Sequence, residues 1–248
     1  MTRLFVDDPQ LKINNIIVLK NEKYNKIKNV LRLKKDHNLI LFNNSHKEFI
    51  GKIVQCSSRE THILIIEEIS KNTEKKITIS IAGALTKGKK IEWVFQKGTE
   101  LNVSEFYPLI SKRSLVKDVS QNKVERWRRI LEEAGSQCGR VDVPKLYDPL
   151  LIEEYFQHMK NIQANKIILV EPNHKQESSC HFSGKEFHLL TGPEGGFTQE
   201  ELILAKEAGF QSLTLGGLTL RAETTPIVVT AILQNRFGNL TITNIDQK

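Results

Sequence analysis

The sequence predicts an α/β protein with a small, strand-rich domain at its front, and three observations carry that prediction. The first is a change of rhythm near residue 77: short runs rich in Ile, Leu and Val give way to apolar strands alternating with amphipathic helices. The second is length, because 248 residues can bury a sizeable core and divide into two modest domains. The third is charge. Residues 1–76 hold 15 Lys and Arg against 9 Asp and Glu, net +6, whereas residues 77–248 hold 21 against 20, net +1.

In chain order, the front third offers strands over 13–19 (INNIIVL), 38–42 (NLILF), 48–54 (EFIGKIV) and 61–69 (THILIIEEI), with one short helix near Lys23 to Val30. That pattern suggests a small β-barrel or sandwich, closed by the polar linker Ser70 to Lys76 (SKNTEKK). Then ITISIAGAL leads to the helical KKIEWVFQKGTEL, and EFYPLI leads to VERWRRILEEAGSQC. In the latter Val124, Trp127, Leu131, Ala134 and Cys138 recur at spacings of three and four, one apolar face. There follow a helix (LIEEYFQHMK), a strand (KIILVEP), a strand and turn (FHLLTGPEGG), a helix (TQEELILAKEAG), a strand (SLTLGG) and a last helix from about Pro226 to a stop at Gly238. Alternation of this kind argues for a largely parallel sheet covered by helices on both faces. The last helix contains IVVTAIL, apolar nearly all the way round, so it is expected to be buried on all sides or to join two subunits of a homodimer.

Composition narrows the function classes. The hydrophobic fraction of 39% and charged fraction of 26% are those of a soluble globular protein, and no apolar run approaches the roughly 18 residues of a membrane span. The start, MTRLFVDDPQ, lacks the pattern of a secretory signal. Cys56, Cys138 and Cys180 are odd in number and in no CxxC spacing, which argues against a disulfide framework or metal site and for a reducing cytoplasm. A basic front domain favours a polyanionic partner, nucleic acid being the commonest, with a merely solvated lysine-rich face as the alternative.

In open α/β sheets ligands bind beyond the carboxyl ends of strands, which directs attention to EPN (171–173), TGPEGGF (191–197) and LGGLTLRAETT (215–225). GPEGGF is neither a GxGxxG dinucleotide turn nor a GxxxxGK[ST] phosphate loop; it has no lysine, and Glu194 would repel a phosphate. The loops therefore suit a neutral or cationic ligand approached by backbone groups. The competing reading of the glycines is an ordinary strand-to-helix turn capped at Thr198.

LLTGPEGGF with an acidic helix start, followed by LTLGGLTLRAETT and an apolar last helix, resembles the RsmE-type ribosomal-RNA uridine-N3 methyltransferases of the SPOUT superfamily. The likeness also includes MTRLFV, NVLRLK (29–34), ALTKGKKIEWVFQKGTEL (84–101), PLISKRS (108–114) and EEAGSQCGRVDVP (132–144), in the family's order and over nearly the whole chain. It implies a PUA-like RNA-binding β-barrel at 1–72 and, at 77–248, a SPOUT-type α/β domain with a trefoil knot that binds S-adenosyl-L-methionine and forms a homodimer. The implied substrate is a uridine of 16S ribosomal RNA in the small (30S) subunit, either single-stranded or flipped out of its helix.

On that likeness the cofactor would be held by Glu171, Thr191, Gly192, Glu194, Gly195, Gly196, Leu215, Gly216 and Leu220, with Leu215 and Leu220 flanking adenine. Arg221 is the candidate for stabilising negative charge on the uracil, and Glu223 or Glu194 for accepting its N3 proton or orienting Arg221; Arg221 and Glu223 could instead be a capping pair of the last helix. Arg3, Lys28, Arg32, Lys34, Lys97, Arg113 and Arg140 are the expected RNA contacts. Three departures stand out: Gly216-Gly217-Leu218 where the family often has Gly-Pro-Arg, Ala222 for a threonine, and Asn102 for the glycine of ELGV. They leave open a non-catalytic RNA-binding assembly factor with the same fold.

Overall fold

The computed structural model describes residues 1–8, 11–70, 75–171, 182–217 and 219–242. The chain forms two compact units, Met1–Glu74 with Gly135–Val143, and Lys75–Ala134 with Pro144–Lys248. Most of the expected linker, together with Cys180 and Leu218, lies outside the described residues.

The first unit is built on a five-stranded sheet. Its strands are β1 (Arg3–Phe5), β2 (Ile16–Lys20), β3 (Asn38–Phe42), β4 (Lys47–Cys56) and β5 (Glu60–Ser70), in the order β1-β3-β4-β5-β2. Strand β1 was not expected, since three residues are too few to show a period; its parallel pairing with β3 holds it. The other pairs are antiparallel. Alternation sets the faces, so Ile17 and Leu19 of β2 and Ile63 and Ile65 of β5 turn inward. The short helix α1 (Asn21–Asn25) continues through a wider turn to Val30 and lowers Ile27 into the same core as Leu39, Leu41 and Phe49. Each such side chain contributes about 1.5–3 kcal/mol of burial. The returning stretch is attached by its backbone: the Val143 N–H donates to Asn44 Oδ1 at 2.6 Å.

Among the described residues the second unit has seven strands, all parallel: β6 (Thr78–Ala84), β7 (Glu105–Ile110), β8 (Lys145–Leu146), β9 (Leu150–Leu151), β10 (Asn165–Leu169), β11 (Glu186–Thr191) and β12 (Gln211–Leu213). Their order is β12-β10-β11-β6-β7-β8, with β9 also on β7. The two-residue strands β8 and β9 lay below what periodicity can reveal. Helices α2 (Lys90–Glu100), α3 (Gln121–Cys138), α4 (Ile152–Met159), α5 (Gln199–Glu207) and α6 (Thr224–Arg236) complete the unit. Consecutive residues of β7 show that both faces of the sheet are covered: Phe106 meets Phe95, which packs on Trp127, whereas Tyr107 meets Tyr155. The predicted face of α3 is buried at Val124, Trp127, Leu131 and Ala134, but Cys138, on the last turn, is exposed.

Helix α6 begins at Thr224, two residues before the expected proline. It buries one stripe, Pro226, Val229, Thr230, Leu233 and Gln234, while Ile227, Val228 and Ala231 are half-buried and Ile232 is 50% exposed. Among the described residues no helix is long and apolar enough to cross a membrane.

Candidate functional site

Strands β12, β10 and β11 are consecutive in the sheet, so the loops at their carboxyl ends lie side by side. They meet around a cavity of about 400 Å³, within the range of small-ligand sites. Leu169, Val170 and Glu171 come from the β10 end, Thr191 through Phe197 from the β11 end, and Thr214, Leu215 and Thr219 through Glu223 from the β12 end. Lys90 at the start of α2, Arg113 after β7, Leu202 of α5 and Thr225 of α6 also line it.

The glycines of the β11 loop have distinct reasons. A Cβ on Gly192 would stand 3.1 Å from the Phe197 ring, so a larger residue would require that ring to give by a few tenths of an ångström. Gly196 has φ +67°, a conformation that side chains disfavour, and its N–H donates to Pro193 O at 2.9 Å. The chain then enters α5 through a capping box: Thr198 Oγ1 accepts from the Glu201 N–H at 3.2 Å, and Glu201 Oε2 accepts from the Thr198 N–H at 2.7 Å. The cap and the pocket are thus one construction. Thr191 Oγ1 donates to Ala222 O at 3.4 Å, tying the β11 and β12 loops.

The charges are not equivalent. Lys90 Nζ lies 2.8 Å from Glu194 Oε1. Burial pushes the Glu194 carboxyl up, but hydrogen bonding from Lys90 and from its own backbone, with the charges of Lys90 and Lys87, outweighs this and holds it below its ordinary value. The hydrogen bond to Glu194 correspondingly raises the Lys90 ammonium, opposed by its partial desolvation. Glu194 is therefore an occupied acceptor. Glu223 differs. It stands at the residue before α6 yet its side chain makes no capping hydrogen bond, and its Oε2 is buried with no hydrogen-bond partner among the described residues. Arg221 is exposed beside it, and its carbonyl accepts from Thr225 Oγ1 at 3.1 Å, so its backbone rather than its guanidinium begins the helix. The cavity is therefore lined by backbone groups, the carboxylate residues Glu194 and Glu223, and the exposed Arg221. Such a set can hold a small polar ligand, accept a proton and stabilise an anion.

Residues 73–234 match the family model described as an RNA methyltransferase domain, and residues 19–67 match that of an RNA methyltransferase PUA domain. The chain is 30% identical over 240 residues to the ribosomal RNA small subunit methyltransferase E of Bacillus subtilis, covering 92% of this chain and 93% of that protein. The chain belongs to the RsmE family. A methyltransferase of Legionella pneumophila, solved in complex with bound SAM, is similar at 30% identity with a TM-score of 0.88, covering 96% of this chain and 99% of that one. Ribosomal RNA small subunit methyltransferase E from Neisseria gonorrhoeae, solved with S-adenosyl methionine, is similar at 28% identity with a TM-score of 0.86, covering 97% and 100%.

In this RsmE-family chain the sequence-derived residues separate into three groups. Glu171, Thr191, Gly192, Glu194, Gly195, Gly196, Leu215, Leu220, Arg221 and Glu223 all line the cavity; Gly216, with φ +59°, shapes the same loop without lining it. Arg113, expected on RNA, lies on the cavity wall and donates to Gly195 O at 2.7 Å. Lys97 is elsewhere on α2, paired with Glu100 at 2.8 Å.

In the first unit Lys28, Arg32 and Lys34 are exposed. Arg3 and Arg140, also expected on RNA, both have partners within the first unit. Glu48 is 1% exposed and needs a counter-charge, which Arg3 supplies as an ion pair while its Nη2 donates to Arg140 O at 2.6 Å. Arg140, 9% exposed, turns both Nε and Nη2 to the Asp142 carboxylate at 3.1 Å. Their guanidinium groups hold the unit's interior. Lys90 was missed, although its place just after β6 follows the same loop-after-strand rule that found the others. Among the described residues no group of three His, Cys, Asp or Glu could hold a metal ion.

Proposed function

We propose that the chain is an S-adenosylmethionine-dependent methyltransferase that modifies N3 of a uridine in 16S ribosomal RNA of the small subunit. The observation that supports this reading best is the cavity at the carboxyl ends of β10, β11 and β12, in a chain whose whole-length relatives are named as small-subunit rRNA methyltransferases, one of them solved with this cofactor. The residues fit the group. The walls are backbone with apolar Leu215 and Leu220, the Lys90 charge is matched by Glu194, and among the described residues no uncompensated lysine lines the cavity. When bound, S-adenosylmethionine supplies a methyl group activated by a sulfonium cation.

The chain's own residues prepare the acceptor. Uracil N3 carries a proton that must leave as the new N–C bond forms, and the Glu223 carboxylate, which lines the cavity and whose Oε2 has no hydrogen-bond partner among the described residues, is the group to take it. Glu194 is a poorer candidate because Lys90 already occupies it. Arg221, exposed beside Glu223, would pair with a uracil carbonyl oxygen and stabilise the charge that develops there. RNA affinity comes from the first unit's exposed cations, Lys28, Arg32 and Lys34. The same reading includes a homodimer formed through the uncovered apolar face of α6, a trefoil knot in the C-terminal domain and the domain limits 1–72 and 77–248. It also implies a cytoplasmic site of action.

The test is transfer of a labelled methyl group from S-adenosylmethionine to small subunits lacking the modification, with the product base identified by mass spectrometry. A labelled N3-methyluridine is the expected product. Tight RNA binding without transfer would replace this reading with that of a non-catalytic assembly factor.

A further inference from the structure

We infer that Arg113 is a positioning residue of the methyl-donor pocket, which locks the Gly195–Gly196 peptide of its glycine loop; the inference rests on the reading of that pocket given above. A peptide between two glycines has unusual freedom to rotate, because neither neighbour has a Cβ to resist it. Here both polar ends are engaged. The Gly195 carbonyl accepts from Arg113 Nη1 at 2.7 Å, and the Gly196 N–H donates to Pro193 O at 2.9 Å. The stem of Arg113 also lies across Gly195, with Cδ 3.5 Å from where a Cβ would be.

The arginine is itself held before it reaches the glycine. The Lys112 N–H donates to Glu201 Oε1 at 2.8 Å, the Ser111 N–H donates to Ser114 Oγ at 3.1 Å, and Lys117 Nζ donates to the carbonyls of Ser111 and Lys112 at 2.7 and 2.8 Å. Glu201, 0% exposed, divides its two oxygens between the two loops: Oε1 receives Lys112, and Oε2 receives Thr198 at the end of the glycine loop. The loop after β7 and the loop after β11 are therefore keyed to one buried carboxylate. Arg113 extends from the first to fix the most rotatable peptide of the second. With the backbone on either side of Arg113 held in this way, only its side chain has to be ordered to make the hydrogen bond.

The experiment compares the full-length chain with Arg113→Gln and Arg113→Lys, using S-adenosylmethionine binding by calorimetry without RNA, RNA binding over a salt series, and amide spectra of glycine-labelled protein. Arg113→Gln should weaken cofactor binding and raise the cofactor KM about tenfold. It should leave kcat at saturating cofactor within about threefold. RNA affinity and its salt dependence should not change. The Gly195 and Gly196 amide signals should shift, and Arg113→Lys should restore part of each effect. Unchanged cofactor affinity, with weaker RNA binding and a salt slope reduced by about one, would make Arg113 a phosphate contact and overturn the inference. If Arg113→Gln fails to fold, the same two measurements on Arg113→Lys decide. Failure of the unaltered chain to bind the cofactor would remove the underlying reading and this inference with it, whereas normal binding by every variant would remove only this inference.

Discussion

Arginine has opposite fates in the two units. In the first, Arg3 and Arg140 turn inward, one to the buried carboxylate of Glu48 and the other to Asp142. In the second, Arg113 and Arg221 stand exposed at the edge of a cavity whose carboxylates are only partly satisfied. The first unit thus engages two of its arginines with its own carboxylates. Net charge predicts the kind of partner, while packing decides which individual charges remain available to it.

The strongest challenge to this comparison is Arg3→Ala. It would leave Glu48 buried without its arginine, and urea unfolding should show a loss of about 3–5 kcal/mol. A loss under about 1 kcal/mol with a large fall in RNA affinity would return Arg3 to the RNA surface. On the other side, Glu223→Gln keeps the shape of the pocket but removes the proton acceptor. Turnover should fall about 100-fold with cofactor affinity little changed; unchanged turnover would end its assigned role.

The Lys90–Glu194 pair sharpens the comparison by pH. Because Glu194 is lowered in the folded chain, its contribution to stability is whole above the ordinary value of 4.5 and is lost as pH falls through its own lower value. Because Lys90 is raised, its share is whole below the ordinary 10.5 and is lost only as pH rises beyond its raised value. Lys87, Arg221 and Glu223 also act on the pair electrostatically. The difference in urea midpoint between the unaltered chain and Glu194→Gln should therefore be flat across neutral pH and shrink in acid; a change centred near neutrality would contradict the pairing. The smallest effect should come from Lys34→Ala. RNA binding should weaken by about 1 kcal/mol or less, with a salt slope lower by about one and no change in stability.

Much of this was legible because it is local. Repeats of two and of three to four residues place strands and helices, and glycines directly after β11 and β12 mark their loops as ligand-facing. The Asn102 departure also has a local explanation. It sits at φ +64°, just past the end of α2, where asparagine is among the few residues that can replace glycine. Ala222 is on the cavity wall and contributes a carbonyl to Thr191, which any residue there could do. Lys90 and Arg113 were harder to read, since their partners lie 104 and 82 residues away. The carboxylate partners of Arg3 and Arg140 were not legible, because a charge in a basic block looks the same in sequence whether it faces solvent or a carboxylate.

What the sequence alone determined is therefore the alternation of elements, the family and the loops that form the pocket, all of which follow from short-range periodicity or from motif order. The folded chain sets which carboxylate is ion-paired, which has a buried oxygen without a partner among the described residues, and which arginines are interior. Those properties depend on contacts between distant segments and on loss of water around individual atoms, and neither quantity has a period along the chain.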